Sequence, residues 1–179
     1  MTIRNSPVTI EPGVKAAAIP KTIVASPVVE GDSVFAVKRQ PDRRVVSITV
    51  PGEFVFRGLV ARAVATVCKL ACPNHPRSEQ FCNEVVSAVG EAFNNAVIHA
   101  YESIAGEVRL TVAYDSREVV IVLADTGTAF DLESVPDYLG DDPQESGMGI
   151  FIIRSFVDAL TYVPGVPNRL KMIKLLPEP

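Results

Sequence analysis

The order of hydrophobic periodicities after residue 43 constrains the fold of this chain more than any other feature. A strand-like run, Val45–Val50, is followed by two segments with helical spacing, Glu53–Ala71 and Ser78–Tyr101. Apolar residues that recur every three or four positions indicate amphipathic helices, whereas alternation or a short continuous apolar run indicates a strand. The first part of the chain's regular region is therefore predicted to be strand, helix, helix.

Strand signals dominate the second part, with one further helix inserted. Val108–Tyr114 alternates apolar with polar or small residues, and Glu118–Ala124 is almost entirely apolar. A helix is predicted over Gly149–Asp158, before a hairpin of Ala159–Val163 and Arg169–Leu176. This order predicts an α/β (α+β) fold, a two-layer sandwich whose mixed, mostly antiparallel sheet carries its helices on one face.

Each of the first two predicted helices has one apolar side. In the first helix the predicted buried face consists of Phe56, Leu59, Val60, Ala63, Val64, Val67 and Leu70. In the second helix, for which Ser78 is the predicted N-cap, it consists of Cys82, Val85, Val86, Val89, Phe93, Ala96, Val97 and Ala100. Both faces are expected to pack on the sheet.

Residues 1–42 differ from the rest of the chain. Short apolar runs there are interrupted by Pro7, Pro12, Pro20, Pro27 and Pro41. Proline at this density prevents helix formation and breaks strand ladders. We therefore predict a proline-rich, extended N-terminal arm over residues 1–42, either a solvated tail or a partner-binding segment, and one globular domain over residues 43–179.

Composition excludes several classes of protein. With 47% hydrophobic residues, 21% charged residues and a net charge of −4, the chain is typical of a soluble globular protein. It has no cluster of Lys and Arg with interleaved aromatics, so direct nucleic-acid binding is not expected. No apolar stretch is long enough for a membrane span. Three cysteines and the lack of a signal-peptide pattern at the start predict a reducing, cytoplasmic location.

The polar side of the second predicted helix is unusual for a surface helix. Glu91 and Asn95 lie one turn apart on one ridge. From Asn83 to Tyr101 there is no Lys, Gln or Arg, which normally cover a solvated face. Gly90, Asn94 and Asn95 are each less favourable than Ala in a helix interior by about 0.5–1 kcal/mol. Local rules broken without local gain favour a ligand site over the alternative, a plain solvated face.

Two glycine-containing segments also point to a ligand. Asp125 ends the apolar strand, where a buried carboxylate needs a donor such as the exocyclic amine of adenine, and Gly127 would let main chain approach a flat ring. An ordinary turn after a strand is the alternative. Gly147 and Gly149 open a helix, where main-chain amides and the helix dipole favour an anion. The segment before them, Leu132–Ser146, is longer than most loops of compact domains.

Together, three motifs resemble the GHKL ATPase/kinase superfamily with its Bergerat nucleotide fold. They are EAFNNAVIHAY (Glu91–Tyr101), DTGTAFD (Asp125–Asp131) and SGMGIFIIRSFVD (Ser146–Asp158). Within the superfamily, the chain is most similar to the anti-sigma factor serine kinases of bacterial partner-switching systems, the RsbW type. The resemblance covers Arg44–Leu176.

This resemblance implies a role for each candidate residue. Glu91 matches the general base that activates the attacking hydroxyl, and Asn95 matches the residue whose side-chain oxygen binds Mg²⁺. The other implied nucleotide contacts are Asp125 and Gly127 at the adenine, and Gly147, Met148 and Gly149 in the lid near the phosphates. An amide oxygen suits a hard cation, and a carboxylate one turn away can accept a proton.

The sequence departs from the family pattern in three places. Ala129 stands where many members have a further glycine, and Asn168-Arg169 replaces the usual Gly-Thr start of the last strand. The predicted lid has five acidic residues and no Lys or Arg over Glu133–Ser146. Arg154, one turn into the following helix, is therefore the candidate cation for the γ-phosphate.

By resemblance, the chain would be an ATP- and Mg²⁺-dependent serine/threonine kinase and anti-sigma factor. It would phosphorylate a STAS-domain anti-sigma factor antagonist, sequester a sigma factor and form a homodimer. The alternative motivated by the acidic lid is a nucleotide-dependent protein-binding module without useful kinase activity. A detached ATP domain of a two-component histidine kinase fits less well, because that class needs a phospho-accepting histidine and the chain has only His75 and His99.

Overall fold

The structure, a computed structural model, describes residues 42–100, 106–135 and 147–178. The predicted N-terminal arm lies outside these residues except for Asp42. So do Tyr101, at the end of the second predicted helix, and residues 136–146 of the predicted lid. The division into an arm and a domain therefore stays a prediction.

Five strands form a single sheet in the order β1-β2-β3-β5-β4. They are β1 Arg44–Pro51, β2 Glu107–Tyr114, β3 Glu118–Asp125, β4 Ala159–Val163 and β5 Asn168–Leu175. Every pairing among them is antiparallel. The predicted sheet was mixed and mostly antiparallel, and the described strands include no parallel pair. The almost wholly apolar β3 lies at the centre, where neighbouring strands bury it on both edges.

Three helices form the second layer. They are α1 Arg57–Ala71, preceded by a 3₁₀ turn over Phe54–Phe56, α2 Ser78–Asn95, which continues into a π-helical turn over Ala96–Ala100, and α3 Met148–Phe156. Helix α2 contacts both α1 and α3. Alternate strand residues such as Leu110, Ile121 and Met172 share one hydrophobic core with all three helices. The predicted two-layer α/β sandwich is confirmed. Among the described helices, none is both long and apolar enough to cross a membrane.

Two details of the predicted helices are wrong. Leu59 and Leu70 are exposed, because the buried stripe of α1 is centred elsewhere and both lie roughly 100° or more from its middle. That stripe consists of Val60, Val64, Val67 and Cys68. Ser78 does not cap α2: it is the first helical residue, and its hydroxyl donates to the Cys72 carbonyl at 2.7 Å.

An ion-pair cluster ties the residue before β1 to the turn between β2 and β3. The Arg43 guanidinium donates to Asp115 Oδ2 from Nε at 2.9 Å and to Glu118 Oε1 from Nη2 at 2.6 Å. Burial by itself would raise the pKa of Asp115. The hydrogen bonds from Arg43 and from the amides of Arg117 and Glu118 outweigh burial, so the pKa of Asp115 is lowered. The cluster thereby fixes where the edge strand β1 begins.

Candidate functional site

Gly149 brings the first turn of α3 against the polar ridge of α2. A β-carbon at Gly149 would lie 3.1 Å from Asn95 Oδ1 and 3.3 Å from Glu91 Oε2. The missing side chain thus leaves a space bounded by an amide oxygen, a carboxylate oxygen and a helix N-terminus. These three residues came from two separate sequence motifs, and the structure brings them together.

The N-terminus of α3 has the features of an anion-binding turn. Gly147 is the N-cap and has a φ of 97°, in the left-handed region that favours glycine. A β-carbon there would also lie 3.3 Å from Val135 Cγ1. The first amides of a helix have no intrahelical acceptor, so those that follow Gly147 can donate to a phosphate. Met148, between the two glycines, is exposed.

The two oxygens of the Glu91 carboxylate have different surroundings. Oε1 accepts a long hydrogen bond of 3.4 Å from Asn94 Nδ2 and lies 3.8 Å from Arg57 Nη2, while Oε2 faces Gly149. The Arg57 and Glu91 side chains are 52% and 26% exposed, so solvent screens this ion pair strongly. A β-carbon at Gly90 would lie 3.3 Å from Arg57 Nη2. The unfavourable glycine in α2 thereby makes room for the guanidinium.

Two irregularities in α2 coincide with the motif. Asn94 Oδ1 is buried and has no hydrogen-bond partner within the described ranges. Immediately after Asn95 the helix widens into the π turn Ala96–Ala100. Unsatisfied buried polar atoms and π turns are rare and are found disproportionately at functional sites. The asparagines that are unfavourable in a helix interior therefore lie on the polar side of α2, where these irregularities occur.

Asp125 at the end of β3 is held by a buried asparagine. Its Oδ1 accepts hydrogen bonds from Gly127 N and from Asn168 Nδ2, both at 3.0 Å, and neither bond uses Oδ2. The Asn168 amide also donates to the Gly127 carbonyl at 2.9 Å and accepts from Gly165 N at 3.0 Å. Asn168 is 1% exposed and pairs with Asp125 in the β3–β5 register. Sequence reasoning treated Asn168 only as a departure from the family pattern and missed this role.

A cavity beside Asp125 has one polar end and apolar walls. It is lined by Ala92, Asn95, Ala96, Leu123, Asp125, Thr128, Phe130, Tyr162 and Leu170. Asn95 and Asp125 therefore face the same space. The cavity measures about 20 Å³, room for roughly one water molecule. A purine ring enters only if these walls move apart.

The Phe130–Tyr162 pair forms one of those walls. The ring centroids are 4.3 Å apart, and the Phe130 amide donates to the Tyr162 hydroxyl at 3.3 Å. Burial raises the pKa of Tyr162, and the Asp125 carboxylate adds to the increase against the lowering effect of the Phe130 amide. The phenol therefore stays protonated near neutral pH. Neither aromatic residue was singled out in the sequence.

Arg154 does not have the surroundings expected of a phosphate-binding cation. It is 5% exposed, and its guanidinium donates to the Val135 carbonyl at 2.9 Å and to the Leu132 carbonyl at 3.1 Å. The sequence made it a candidate for the γ-phosphate because no basic residue precedes it in the lid. In the structure these contacts direct it toward Leu132 and Val135, where the predicted lid begins.

Comparison with protein families agrees with this fold. Residues 59–174, more than half of the chain, match the model of the histidine kinase-like ATPase domain. The chain therefore belongs to the histidine kinase-like ATPase family, and within it the chain is similar to RsbW-type serine-protein kinases and anti-sigma F factors. Membership in a family of ATPase domains implies that the chain binds ATP.

Individual relatives carry matching names. The chain is 34% identical over 99 residues to the serine-protein kinase RsbW of Staphylococcus epidermidis, a match covering 50% of this chain and 62% of the relative. It is 34% identical over 100 residues to the anti-sigma F factor of Clostridium acetobutylicum, covering 54% and 69%. The chain thus spans less than two thirds of the length of the RsbW relative.

A solved structure supports the fold alone. The crystal structure of RsbU and RsbW domains from Mycobacterium tuberculosis superposes with a TM-score of 0.53 at 14% identity, covering 74% of this chain and 32% of that chain.

Proposed function

We propose that this chain is an ATP- and Mg²⁺-dependent serine/threonine protein kinase that acts as an anti-sigma factor. It phosphorylates a STAS-domain anti-sigma factor antagonist and sequesters a sigma factor when the antagonist is absent. The observation that carries the proposal is the space at Gly149, which is bounded by Asn95 Oδ1 and Glu91 Oε2. The names of the relatives, a serine-protein kinase and an anti-sigma F factor, support the same function.

The donor set at this space fits magnesium. Mg²⁺ prefers oxygen ligands and usually keeps several waters, so one amide oxygen and substrate phosphates suffice as its partners. In the proposal Asn95 supplies that oxygen, and the missing side chain of Gly149 lets the first turn of α3 lie close to it. When bound, the ion would neutralise charge on the phosphate oxygens.

Glu91 acts as the general base in this proposal. Its Oε1 faces Asn94 and Arg57, which leaves Oε2, on the Gly149 side, to accept the proton of the attacking serine or threonine hydroxyl. Phosphoryl transfer depends mainly on positioning and on stabilising oxygen charge. The amides that follow Gly147 and Gly149 would stabilise the charge on the phosphate oxygens.

The adenine end completes the proposed site. Asp125 accepts the exocyclic amine of the base through Oδ2, the oxygen that neither Gly127 nor Asn168 uses. Gly127 lets main chain lie against the ring, and Met148 with its flanking glycines lies near the phosphates. Because the cavity at Asp125 is small, base binding is expected to displace the Phe130 wall.

Phosphate transfer tests the catalytic assignment. A STAS-domain protein captured from lysate by the ADP-bound chain would be incubated with γ-labelled ATP, Mg²⁺ and either wild type or Glu91→Gln. We expect Glu91→Gln to retain ATP binding and to lose transfer by about 10²–10⁴-fold. Glu84→Gln is the matched control, because Glu84 lies on the same helix but pairs with Lys174 at 2.8 Å. Equal transfer by Glu91→Gln and wild type would refute the assignment.

The same proposal includes a homodimer. The strand β1 lies at one edge of the described sheet, and Val45 and Val46 are exposed on it. An edge strand with apolar side chains can pair with a second strand. Light scattering should therefore give twice the 19.3 kDa mass of one chain. A monomeric mass at micromolar concentration would contradict the dimer.

The second candidate is a nucleotide-dependent protein-binding module without kinase activity. It is favoured by the lack of Lys and Arg over residues 133–146 and by the contacts of Arg154 with main-chain carbonyls. ATP-dependent capture of a partner from lysate with no phosphorylated product would select this candidate. A phosphorylated partner would exclude it.

A further inference from the structure

Arg154 is a buried cation on a helix, which needs a physical reason. Burying a guanidinium is unfavourable unless hydrogen bonds replace its water. Two of the hydrogen bonds of Arg154 end on main-chain carbonyls, those of Leu132 and Val135. An arginine can bridge two such acceptors because its planar head carries several donors in a fixed geometry.

The two carbonyls belong to a short turn that its own side chains organise. Asp131 Oδ1 accepts from the Glu133 amide at 2.9 Å, and the Ser134 hydroxyl donates to the Asp131 carbonyl at 2.8 Å. Leu132 anchors the turn in the hydrophobic core. This turn, residues 131–135, is therefore held in one conformation by its own contacts, and Arg154 joins it to α3.

The turn of residues 131–135 also contacts Gly147, the N-cap of α3. The Val135 side chain lies against Gly147, where a β-carbon would be 3.3 Å from Val135 Cγ1. The Phe151 amide donates to the Gly147 carbonyl at 3.0 Å and closes the first helical turn. Arg154, in the last turn of α3, is thus connected through Val135 to the N-cap of the same helix, while Gly149 in the first turn faces Asn95.

The adenine end is held by different contacts. Asn168 fixes Asp125, and Tyr162 fixes Phe130. Neither pair involves Arg154 or the turn that it binds. Loss of Arg154 should therefore disturb the phosphate end of the proposed site and spare the adenine end.

We propose that Arg154 is a positioning residue for phosphate binding. By bridging the Leu132 and Val135 carbonyls it fixes the first turn of α3, and so keeps the amides after Gly147 and Gly149 aimed at the phosphates. This role rests on the proposed nucleotide site and replaces direct contact between Arg154 and the γ-phosphate.

Hydrogen exchange tests the positioning without any ligand. In Arg154→Met and Arg154→Lys we expect faster exchange of the Phe151 amide, with amides of the central strand β3 unchanged. Ile153→Val is the control, because it removes a methyl from a buried neighbour on the same helix and leaves the carbonyl contacts intact. Unchanged exchange at Phe151 in both Arg154 variants would overturn the proposal.

Nucleotide affinity tests the consequence for binding. Competition against a fluorescent ATP analogue would compare Mg-ATP with adenosine for the same variants. We expect ATP to bind about tenfold more weakly to Arg154→Met, with adenosine within about twofold of wild type, because only the phosphate turn is misplaced. Arg154→Lys should resemble Arg154→Met, since an ammonium group retains the charge but lacks the planar fork that bridges two carbonyls.

Three other outcomes have definite meanings. Full ATP affinity in Arg154→Lys would show that charge alone matters and would overturn the positioning role. Equal weakening of ATP and adenosine in Arg154→Met would also overturn it, because the effect would then be general unfolding of the site. If wild type binds ATP no more tightly than adenosine, the proposed function fails, and the exchange result still decides whether Arg154 holds the turn.

Discussion

Replacing Gly149 with alanine should separate the nucleotide site from the stability of the fold. The glycine lies in the first turn of α3, so alanine gains about 0.5–1 kcal/mol from helix propensity. Its methyl would lie 3.1 Å from Asn95 Oδ1 and 3.3 Å from Glu91 Oε2. Overpacking costs about 1–3 kcal/mol, with the low end expected here because the obstructing atoms are side-chain ends. The free energy of unfolding should therefore change by no more than about 1–2 kcal/mol.

The methyl would push Asn95 Oδ1 and Glu91 Oε2 away from the first turn of α3, and these are the oxygens proposed to serve magnesium and the attacking hydroxyl. We expect the affinity for Mg-ATP to fall at least tenfold, about 1.4 kcal/mol, as measured by calorimetry beside urea unfolding of the same protein. Gly58→Ala is the matched control: the nearest atoms to its β-carbon all belong to the Arg62 guanidinium, the closest being Nη1 at an ordinary 3.5 Å. That variant should keep wild-type ATP affinity. Wild-type affinity in Gly149→Ala would refute the location of the phosphates.

Three further predictions concern stability and reactivity. Asn168→Ala should cost about 3 kcal/mol in urea unfolding, because it removes three hydrogen bonds, of which the one to Asp125 is buried; a loss below 1 kcal/mol would contradict the network. Arg43→Ala should cost about 3 kcal/mol at neutral pH. The pKa of Asp115 is lowered in the folded state, so its ionised carboxylate stabilises the fold above the unfolded pKa of about 3.9. This stabilisation is lost as the pH falls through the folded pKa, and Arg43→Ala should reduce that pH dependence. Burial, with Cys82 and Cys72 nearby, raises the pKa of Cys68 to about 12, so iodoacetamide at pH 8 should label it only after unfolding.

Hydrophobic period was sufficient to predict the elements of this fold. The strand and helix boundaries lie within a few residues of the predicted ones because most elements have a periodic apolar pattern and a proline or glycine near one end. The way in which the strands pair was harder to predict from the sequence. Antiparallel and parallel strands have the same period, so the sequence did not show that every described pair is antiparallel. The exposure of Leu59 likewise depends on where α2 packs against α1.

For the candidate site, too, the sequence predicted one part and only the structure showed the other. Motif order and residue types identified Glu91, Asn95, Asp125 and the glycines of α3 as candidates, because glycine, amide and carboxylate in those elements conflict with local propensity. The partners that hold them lie far away in the chain. Asn168 reaches Asp125 only through the β3–β5 register, and Arg154 reaches the Val135 carbonyl only because α3 packs beside it.

By itself, then, the sequence determined the layers of the fold and the residues that are chemically suited to a nucleotide. Only the tertiary structure decided that Gly149 leaves its space beside Asn95, that Gly90 makes room for Arg57, and that Arg154 binds carbonyls. The physical reason is that periodicity and propensity are local properties of the chain. The distance between two side chains depends on how helices and strands pack, and this is settled by contacts across the whole domain.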